Sequence, residues 1–275
     1  MTASTALTIG FTRNFSFGIP FWTIAEHGAR HAARESGAIL AMRHCIDDSE
    51  MAASIQSLIQ QQVHAIIIAP MDPTYPAFLA ALEQATAAGI PLIVVDAPIP
   101  YPVRCLVRSD DLRGSADGAA YLAERLGYQG KVIHLQGERG APVAQLRSAG
   151  VHQVLDTYSD IELIDTDQGK WSRQLTQSVM RALLAKHHDI RGVIAANDPM
   201  ALGAMDALAE AGQLEHVAII GVDGDPDALI AIETGLMAGT IQRSPYQMGR
   251  TAIETAITLI QIGRASCRER VSTDV

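Results

Sequence analysis

The sequence AIIIAPMDP, residues 65–73, leads through a segment of helix length to IVVD at residues 93–96. The same order returns later in the chain, where GVIAANDP at residues 192–199 leads to IGVD at residues 220–223. Each copy reads as a buried strand, a helix and a second strand that closes on an aspartate. Short runs that are apolar on both faces are typical of parallel strands covered by helices on either side. The repeat therefore predicts two similar lobes, each built on a parallel sheet.

Five further apolar runs extend this pattern and alternate with amphipathic segments of helix length. They lie at residues 7–11, 39–42, 103–107, 131–135 and 161–164. Regular alternation of strand and helix is typical of doubly wound sheets, in which helices cover both faces. We therefore predict an α/β protein made of two similar doubly wound parallel-sheet lobes.

The composition excludes several classes of function. The 275 residues include 30 acidic and 21 basic side chains, for a net charge of −9. No basic stripe is present, so we predict no nucleic-acid binding, which needs clustered Lys and Arg. No apolar run approaches the roughly 18 residues that a membrane span requires. The three cysteines form no CxxC pair, and residues 1–5 do not resemble a signal peptide.

Polar side chains stand where the predicted strands end. In open α/β sheets, ligands bind outside the carboxyl ends of the strands. Carboxylate and amide groups at that edge suit a neutral ligand rich in hydroxyl groups, because each can accept or donate a hydrogen bond in a fixed direction. The residues at these ends are Thr12, Asp47, Asp72, Asp96, Asp110, Gln136, Asp165, Asn197 and Asp223.

The common catalytic and cofactor motifs are missing from the sequence. It contains no GxxxxGK[ST] phosphate loop, no GxGxxG after a strand and no GxSxG nucleophile elbow. His27 and His31 are one helical turn apart, but no HExxH motif surrounds them, so a solvated or half-buried pair is expected there. We predict that the protein is not an enzyme and that it has no cofactor and no metal site.

Four stretches together resemble one known family. They are GIPLIVVD at 89–96, KVIHLQG at 131–137, ANDPMALGA at 196–204 and GVDGDP at 221–226. Over residues 7–262 the chain resembles type I periplasmic sugar-binding proteins of the ribose-binding kind, which serve ABC transporters. The resemblance implies two lobes joined by a hinge, with residues 1–109 plus 244–262 in the N-terminal lobe and residues 110–243 in the C-terminal lobe.

The resemblance also implies a set of ligand contacts. Phe21 and Trp22 match the aromatic pair that faces the sugar ring, and Trp171 matches the aromatic residue that covers the ring from the other lobe. Asp96 matches the aspartate that binds hydroxyl groups, while Asn197 and Asp223 match the amide and carboxylate of the second lobe. Such contacts are physically coherent, because sugar rings have apolar faces and directional hydroxyl groups. For the two tryptophans, packing in the core is the alternative.

Three positions depart from the ribose-type pattern. Ala97 follows Asp96 where an arginine is usual, Gln145 stands where a second pocket arginine is common, and Arg243 stands where a glutamine usually precedes the hinge. Because an arginine places five rigid donors, these changes move the hydrogen bonds of the site. The ligand is therefore open among another pentose, a hexose, a polyol and a less sugar-like molecule. Arg243 either binds an anionic group or pairs with Asp223.

The resemblance predicts a solute-binding protein that captures a small sugar or polyol in the cleft between the lobes. We expect a periplasmic monomer that delivers this ligand to an ABC-transporter permease. The alternative is the effector-binding domain of a galactose/lactose-repressor-type regulator without its DNA-binding headpiece. A sensor domain of a receptor kinase is a third possibility. Residues 262–271 read IGRASCRERV, which resembles a translated sequencing adapter, so we interpret residues 263–275 as a non-native tail.

Overall fold

The computed structural model describes residues 6–14, 20–70, 72–166, 169–262 and 271–272. The chain forms two compact units, the first of Met1–Ser109 with Ser244–Val275 and the second of Asp110–Arg243. The second unit is thus one continuous segment inserted into the first. Each unit is built on its own parallel sheet flanked by helices. The predicted fold class is confirmed.

Strands and helices alternate along the whole described chain. The first unit begins with β1 (Thr8–Asn14), α1 (Pro20–Ser36), β2 (Ile39–Cys45), α2 (Asp48–Gln60), β3 (Ala65–Ala69), α3 (Pro76–Ala87), β4 (Leu92–Val95) and β5 (Cys105–Arg108). The second unit contains α4 (Asp111–Arg125), β6 (Gly130–Leu135), α5 (Pro142–Leu155), β7 (Ile161–Thr166), α6 (Arg173–Lys186), β8 (Ile190–Ala195), α7 (Asp198–Glu210), β9 (Ala218–Asp223), α8 (Pro226–Glu233) and β10 (Gly239–Gln242). The chain then returns to the first unit with α9 (Pro245–Ile262) and β11 (Val271–Ser272).

Both sheets are parallel throughout and have crossed strand orders. The first runs β11-β5-β4-β3-β1-β2 and the second runs β10-β9-β8-β6-β7. In the first sheet Ile67 lies in register with Phe11 on one side and with Ile93 on the other. Because all strands are parallel, their carboxyl ends meet at one edge of each sheet, where the polar residues predicted from the sequence stand.

The apolar runs bury both faces of each sheet. In β3 every residue is fully buried, with Ile67 packed towards α1 and α9 and its neighbours Ile66 and Ile68 packed towards α2 and α3. The second unit repeats this arrangement: Val193 belongs to the core that contains residues of α6 and α7, and Ile194 belongs to the core that contains residues of α4 and α5. This two-sided burial is the reason why the strands show no alternation of apolar and polar residues.

Helices α1 and α9 touch through their backbones. A β-carbon on Gly28 would lie 1.9 Å from the carbonyl oxygen of Tyr246, and one on Gly249 would lie 1.9 Å from the carbonyl oxygen of Ala25. The contact is reciprocal, because each helix supplies one glycine and receives the backbone of the other. Only glycine fits at either position without moving the two helices apart.

The sequence did not predict strand β10. Its residues, Gly239–Gln242, include a single aliphatic side chain, Ile241, and three of the four are only half-buried. An edge strand with one free side needs no apolar run, so the pattern that identified the other strands was absent.

The tail interpreted as non-native lies largely outside the described residues. Of residues 263–275 the structure describes Val271–Ser272, which lie beside β5 with Val271 in register with Val107. Among the described helices, none is both long and apolar enough to cross a lipid bilayer.

Candidate functional site

Asp96 stands at the carboxyl edge of the first sheet, directly after β4. It is half-buried, and its backbone N–H donates to the carbonyl of Val107 over 2.9 Å. Its φ angle is 74°, in the left-handed region that non-glycine residues rarely adopt. The strand therefore ends abruptly, and the carboxyl group is presented at the edge where ligands bind in this class of sheet.

Phe21 and Trp22 lie in the first turn of α1. Their rings meet edge to face with centroids 5.2 Å apart, and their exposed fractions are 4% and 8%. Both belong to the hydrophobic core that α1 shares with β1 and α9. Both rings are therefore largely covered by packing within the first unit.

Glu26 ties α1 to the sheet that carries Asp96. Its carboxylate lies 2.9 Å from Nη2 of Arg13 on β1, 2.8 Å from Nε2 of His44 on β2 and 2.6 Å from Nη2 of Arg30 on α1 itself. Partial burial opposes ionisation, but the hydrogen bonds from His44, Arg13 and Arg30 outweigh it and lower the pKa of Glu26 to about 2. This carboxylate therefore fixes the start of the helix next to the two aromatic rings.

We expect Glu26→Gln to destabilise the chain at neutral pH and to have little effect in acid. An acid whose pKa falls from 4.5 to about 2 on folding stabilises the folded state above pH 4.5, and this contribution is lost as the pH falls towards 2. With screening by solvent, the loss at pH 7 should be about 1 to 2 kcal/mol. Urea unfolding at pH 7, 5 and 3 measures it, with the exposed Glu83→Gln as the control. A difference from wild type that does not shrink below pH 4.5 would contradict this assignment.

Four buried charged side chains form a cluster in the second unit, which we call the buried charged cluster: Asp111, Arg147, Asp223 and Arg243. Their exposed fractions are 5%, 3%, 7% and 8%. Nε of Arg147 donates to Oδ1 of Asp111 over 2.9 Å, and Nη2 of Arg147 lies 3.5 Å from Oδ1 of Asp223. Nη1 of Arg243 lies 3.5 Å from Oδ1 of Asp223, and its Nε lies 3.7 Å from Oδ1 of Asp111. Two carboxylates thus match two guanidinium groups.

Asp111 and Arg147 are the two members of this cluster that the sequence did not predict. The sequence indicates Gln145 as the pocket residue of α5, but Gln145 is exposed and lines a separate cavity of about 330 Å³ with Gln136 and Ser148. The buried face of α5 contains Val143, Ala144, Arg147, Gly150, Val151 and Leu155. An arginine on an otherwise apolar helical face was the available signal, because an arginine is almost never fully buried without a partner.

Trp171 and Asn197 extend the site from the buried charged cluster. The guanidinium of Arg147 lies 5.8 Å from the centroid of the Trp171 ring, within the range of a cation–π contact. A β-carbon on Gly137 would lie 2.2 Å from that ring, so the indole approaches the backbone after β6 at a point that only glycine permits. Asn197 caps α7 by accepting from the N–H of Met200 over 3.0 Å, and its Nδ2 donates to the carbonyl of Trp171 over 3.4 Å.

Burial strongly affects the carboxyl groups around Asp223. It raises the pKa of Asp223 to about 7, against the opposing effect of Arg147 and Arg243 and with a further increase from Asp198 and Asp225. Asp198 is fully buried and accepts from Oγ1 of Thr240 and from the N–H of Asp225, each over 2.7 Å. Arg243 lies against Asp223, which is one of the two roles considered for it.

Three of the predicted contact residues share an unusual backbone conformation. Asp96, Trp171 and Asp223 have φ angles of 74°, 63° and 128°. Residues that are not glycine cost free energy in this region, of order 1–3 kcal/mol each, and persist only where the surroundings impose the conformation. Such strain gathers at binding sites, because it fixes the direction of a side chain at a loop.

Two of the polar residues predicted at strand ends have other surroundings. Thr12 lies within β1, is fully buried and has its Oγ1 3.3 Å from Sγ of Cys45. Asp165 lies within β7, and its Oδ1 lies 2.7 Å from Nδ1 of His134.

Comparison with known proteins gives consistent matches in sequence and in structure. The periplasmic binding protein domain family matches residues 9–265. A ribose import binding protein of Bacillus subtilis (strain 168) is 32% identical over 256 residues, which are 90% of this chain and 82% of that protein. A xylitol-binding protein of Mycolicibacterium smegmatis is 37% identical over 198 residues, or 70% of this chain and 55% of that protein.

A solved structure agrees with these sequence matches. It is an ABC-transporter periplasmic solute-binding protein from Actinobacillus succinogenes 130z with bound D-allose. The two structures have a TM-score of 0.90 and are 26% identical in sequence, and the match covers 97% of this chain and 96% of that one.

Proposed function

This chain belongs to the periplasmic binding protein family, and from that premise we propose that it captures a small neutral sugar or polyol for an ABC importer. The family resemblance seen in the sequence is confirmed. Its members bind solutes and catalyse no reaction, so this protein is a solute-binding protein and not an enzyme. The ribose relative is an import binding protein and the xylitol relative is a binding protein by name, and for this reason the repressor alternative is not favoured.

The observation that carries the proposal is the conformation of Asp96, Trp171 and Asp223. The family resemblance implies that all three are ligand contacts, and all three hold a left-handed backbone. Together they offer two carboxyl groups and an aromatic face, which are the groups that a ring with several hydroxyls requires. We propose that these groups contact the bound solute.

The charges of the second unit support a neutral ligand. Arg147 and Arg243 each lie within 3.7 Å of a buried carboxylate of the cluster. Binding a sugar acid there would place a further anion beside the carboxyl groups of Asp111 and Asp223, which already face the two guanidinium groups. The relatives named above bind ribose and xylitol by name, and the solved structure holds D-allose, all of which are neutral.

We further propose that the protein acts in the periplasm as a monomer and delivers its solute to a membrane permease. The family supports the periplasmic location. Gel filtration with and without solute tests the monomer, and transport by vesicles that contain the genomically adjacent permease tests the delivery.

We expect one or a few neutral solutes to raise the melting temperature and to change the tryptophan fluorescence. The panel should contain pentoses, hexoses, pentitols, inositols and matching sugar acids. A solute at about 100 times its Kd adds roughly 2.7 kcal/mol of stability, which appears as a shift of several degrees. Silence across the neutral panel from a folded sample, or a response to sugar acids alone, would overturn the proposed ligand class.

Substitutions at the proposed contacts should weaken binding of the solute so identified at least tenfold. Asp96→Ala removes a hydroxyl partner, and Trp171→Ala removes the aromatic face; each loss should be about 1.5 kcal/mol or more. The matched controls are Asp189→Ala and Tyr128→Ala, because these residues have φ angles of 61° and the same left-handed strain. Calorimetric titration of all four variants measures the effect. Equal losses in variants and controls would show that strain, not contact, is responsible.

A further inference from the structure

Two histidines and an aspartate of the second unit meet away from the buried charged cluster. His134 on β6 and Asp165 on β7 are register partners, and His152 on α5 lies over them. Nδ1 of His134 lies 2.7 Å from Oδ1 of Asp165, and Nε2 of His152 lies 3.3 Å from Oδ2 of the same carboxylate. One nitrogen of each histidine and one carboxylate oxygen all lie within 4.8 Å of one another.

A second carboxylate fixes the orientation of His152. Both oxygens of Asp156, one helical turn further along, lie 3.1 Å from Nδ1 of His152. Nδ1–H therefore donates to Asp156, and in the neutral ring the lone pair of Nε2 then faces Oδ2 of Asp165. Two acceptors 3.3 Å apart repel each other unless a positive charge lies between them. A cation bound between them would relieve this repulsion.

The donor set and its exposure suit a transition metal better than a bare proton. Two imidazole nitrogens and a carboxylate oxygen are ligands that Zn²⁺ binds, and the hydrogen bond from a ligating histidine to a carboxylate is the usual support of such sites. His134 is held rigidly, with 2% of its side chain exposed, whereas His152 and Asp165 are 34% and 40% exposed. These two side chains have room to close on an ion, since ligands about 2.1 Å from Zn²⁺ lie roughly 3.4 Å apart in a tetrahedron.

We propose that His134, His152 and Asp165 bind a divalent transition-metal ion of the Zn²⁺ class, with Asp156 orienting His152. Three protein ligands leave a fourth position for water on the exposed side of the site. The ion would join α5 to β6 and β7, and so hold the helix that carries Arg147. The spacing of these residues in the sequence matches no metal motif, which is why the sequence predicted no metal site.

The test is calorimetric titration of the untagged, chelator-treated chain with ZnCl₂, repeated with Co²⁺ to record its visible absorption. We expect one Zn²⁺ per chain and a Co²⁺ spectrum of tetrahedral type. His152→Ala and Asp165→Asn should each weaken Zn²⁺ binding at least tenfold, and Asp156→Asn by about tenfold as a supporting carboxylate. The control is His188→Ala, an exposed histidine of the same unit.

Circular dichroism of each variant shows whether it folds, and these half-exposed positions leave the core intact. Absence of saturable Zn²⁺ binding by the wild type would overturn the proposal. Binding that survives both His152→Ala and Asp165→Asn, or that falls equally in His188→Ala, would also overturn it. None of these outcomes depends on the identity of the solute, so the metal site and the proposed function fail or hold separately.

Discussion

Replacing Arg147 with methionine is expected to destabilise the protein by about 3 to 5 kcal/mol. The guanidinium pairs with Asp111 and Asp223 and donates to the carbonyl of Ala196, all in the buried interior of the second unit. Methionine fills much of the same space but leaves two buried carboxylates with Arg243 as their remaining cation. The cost is therefore that of an unbalanced buried charge, which is much larger than the cost of a lost surface contact.

The matched control is Arg181→Ala in the same unit. Arg181 forms a two-pronged ion pair with Glu210, at 2.7 and 2.8 Å, but both side chains are about half exposed. Exposed pairs contribute about 0 to 1 kcal/mol, so this variant should remain close to wild type. Urea unfolding followed by circular dichroism compares the two.

A double variant separates charge from packing. Adding Asp111→Asn to Arg147→Met restores the balance of one carboxylate with one guanidinium, and it should recover part of the lost stability. Buried charge would not be the cause if Arg147→Met lowered the free energy of unfolding by no more than Arg181→Ala does. The same would hold if the double variant lost more stability than the sum of the losses in its two single variants.

Gly249→Ala should destabilise the first unit by about 3 kcal/mol. A β-carbon there would lie 1.9 Å from the carbonyl oxygen of Ala25, and that oxygen belongs to a rigid helix backbone. Helices α1 and α9 would have to separate, which would loosen the core packed between them. At a solvent-exposed helical position, helix propensity alone makes alanine more stable than glycine by about 1 kcal/mol. A loss of stability in Gly249→Ala would therefore have the opposite sign.

Gly114→Ala in α4 is the control for this prediction. A β-carbon there would lie 3.0 Å from a terminal methyl group of Ile241, a side-chain atom that can move. We expect its melting temperature to stay within a few degrees of wild type, whereas Gly249→Ala should lower it by more. Gly28→Ala should behave like Gly249→Ala, since it meets the carbonyl of Tyr246 at the same distance. Equal stability of Gly249→Ala and Gly114→Ala would disprove the close backbone contact.

Most of the architecture could be predicted from the sequence, because parallel strands that are buried on both faces consist of uninterrupted runs of apolar residues. The apolar run predicts β3 with its observed ends, Ala65 and Ala69, since every residue in it is buried. β10 contains no such run, because the sequence of a half-buried edge strand with one aliphatic residue resembles that of a loop. The signal depends on burial, and it disappears where a strand has one open side.

The residues of the candidate site could be predicted from the sequence only in part, for a different reason. Residues at the carboxyl end of a strand, such as Asp96 directly after β4 and Asp223 as the last residue of β9, are marked by their position, and the sequence predicted both as strand-end residues. Arg147 and the pair of His134 and Asp165 depend on which helix face meets which strand, and this is settled only when the sheet order is known. Contacts between distant segments carry no local periodicity, so they appear only with the fold.

The α1–α9 contact determines the order in which this protein can be completed during synthesis. Helix α1 emerges from the ribosome early, but its partner α9 follows the entire second unit. The core around Ile67 includes Met248, Ala252 and Ile253 of α9. The surface of the first unit that α9 covers therefore stays exposed while Asp110–Arg243 is translated. The second unit, being continuous, has all its strands and helices before the first is finished. A nascent chain stalled before α9 should therefore display a folded second unit attached to an apolar surface that chaperones recognise.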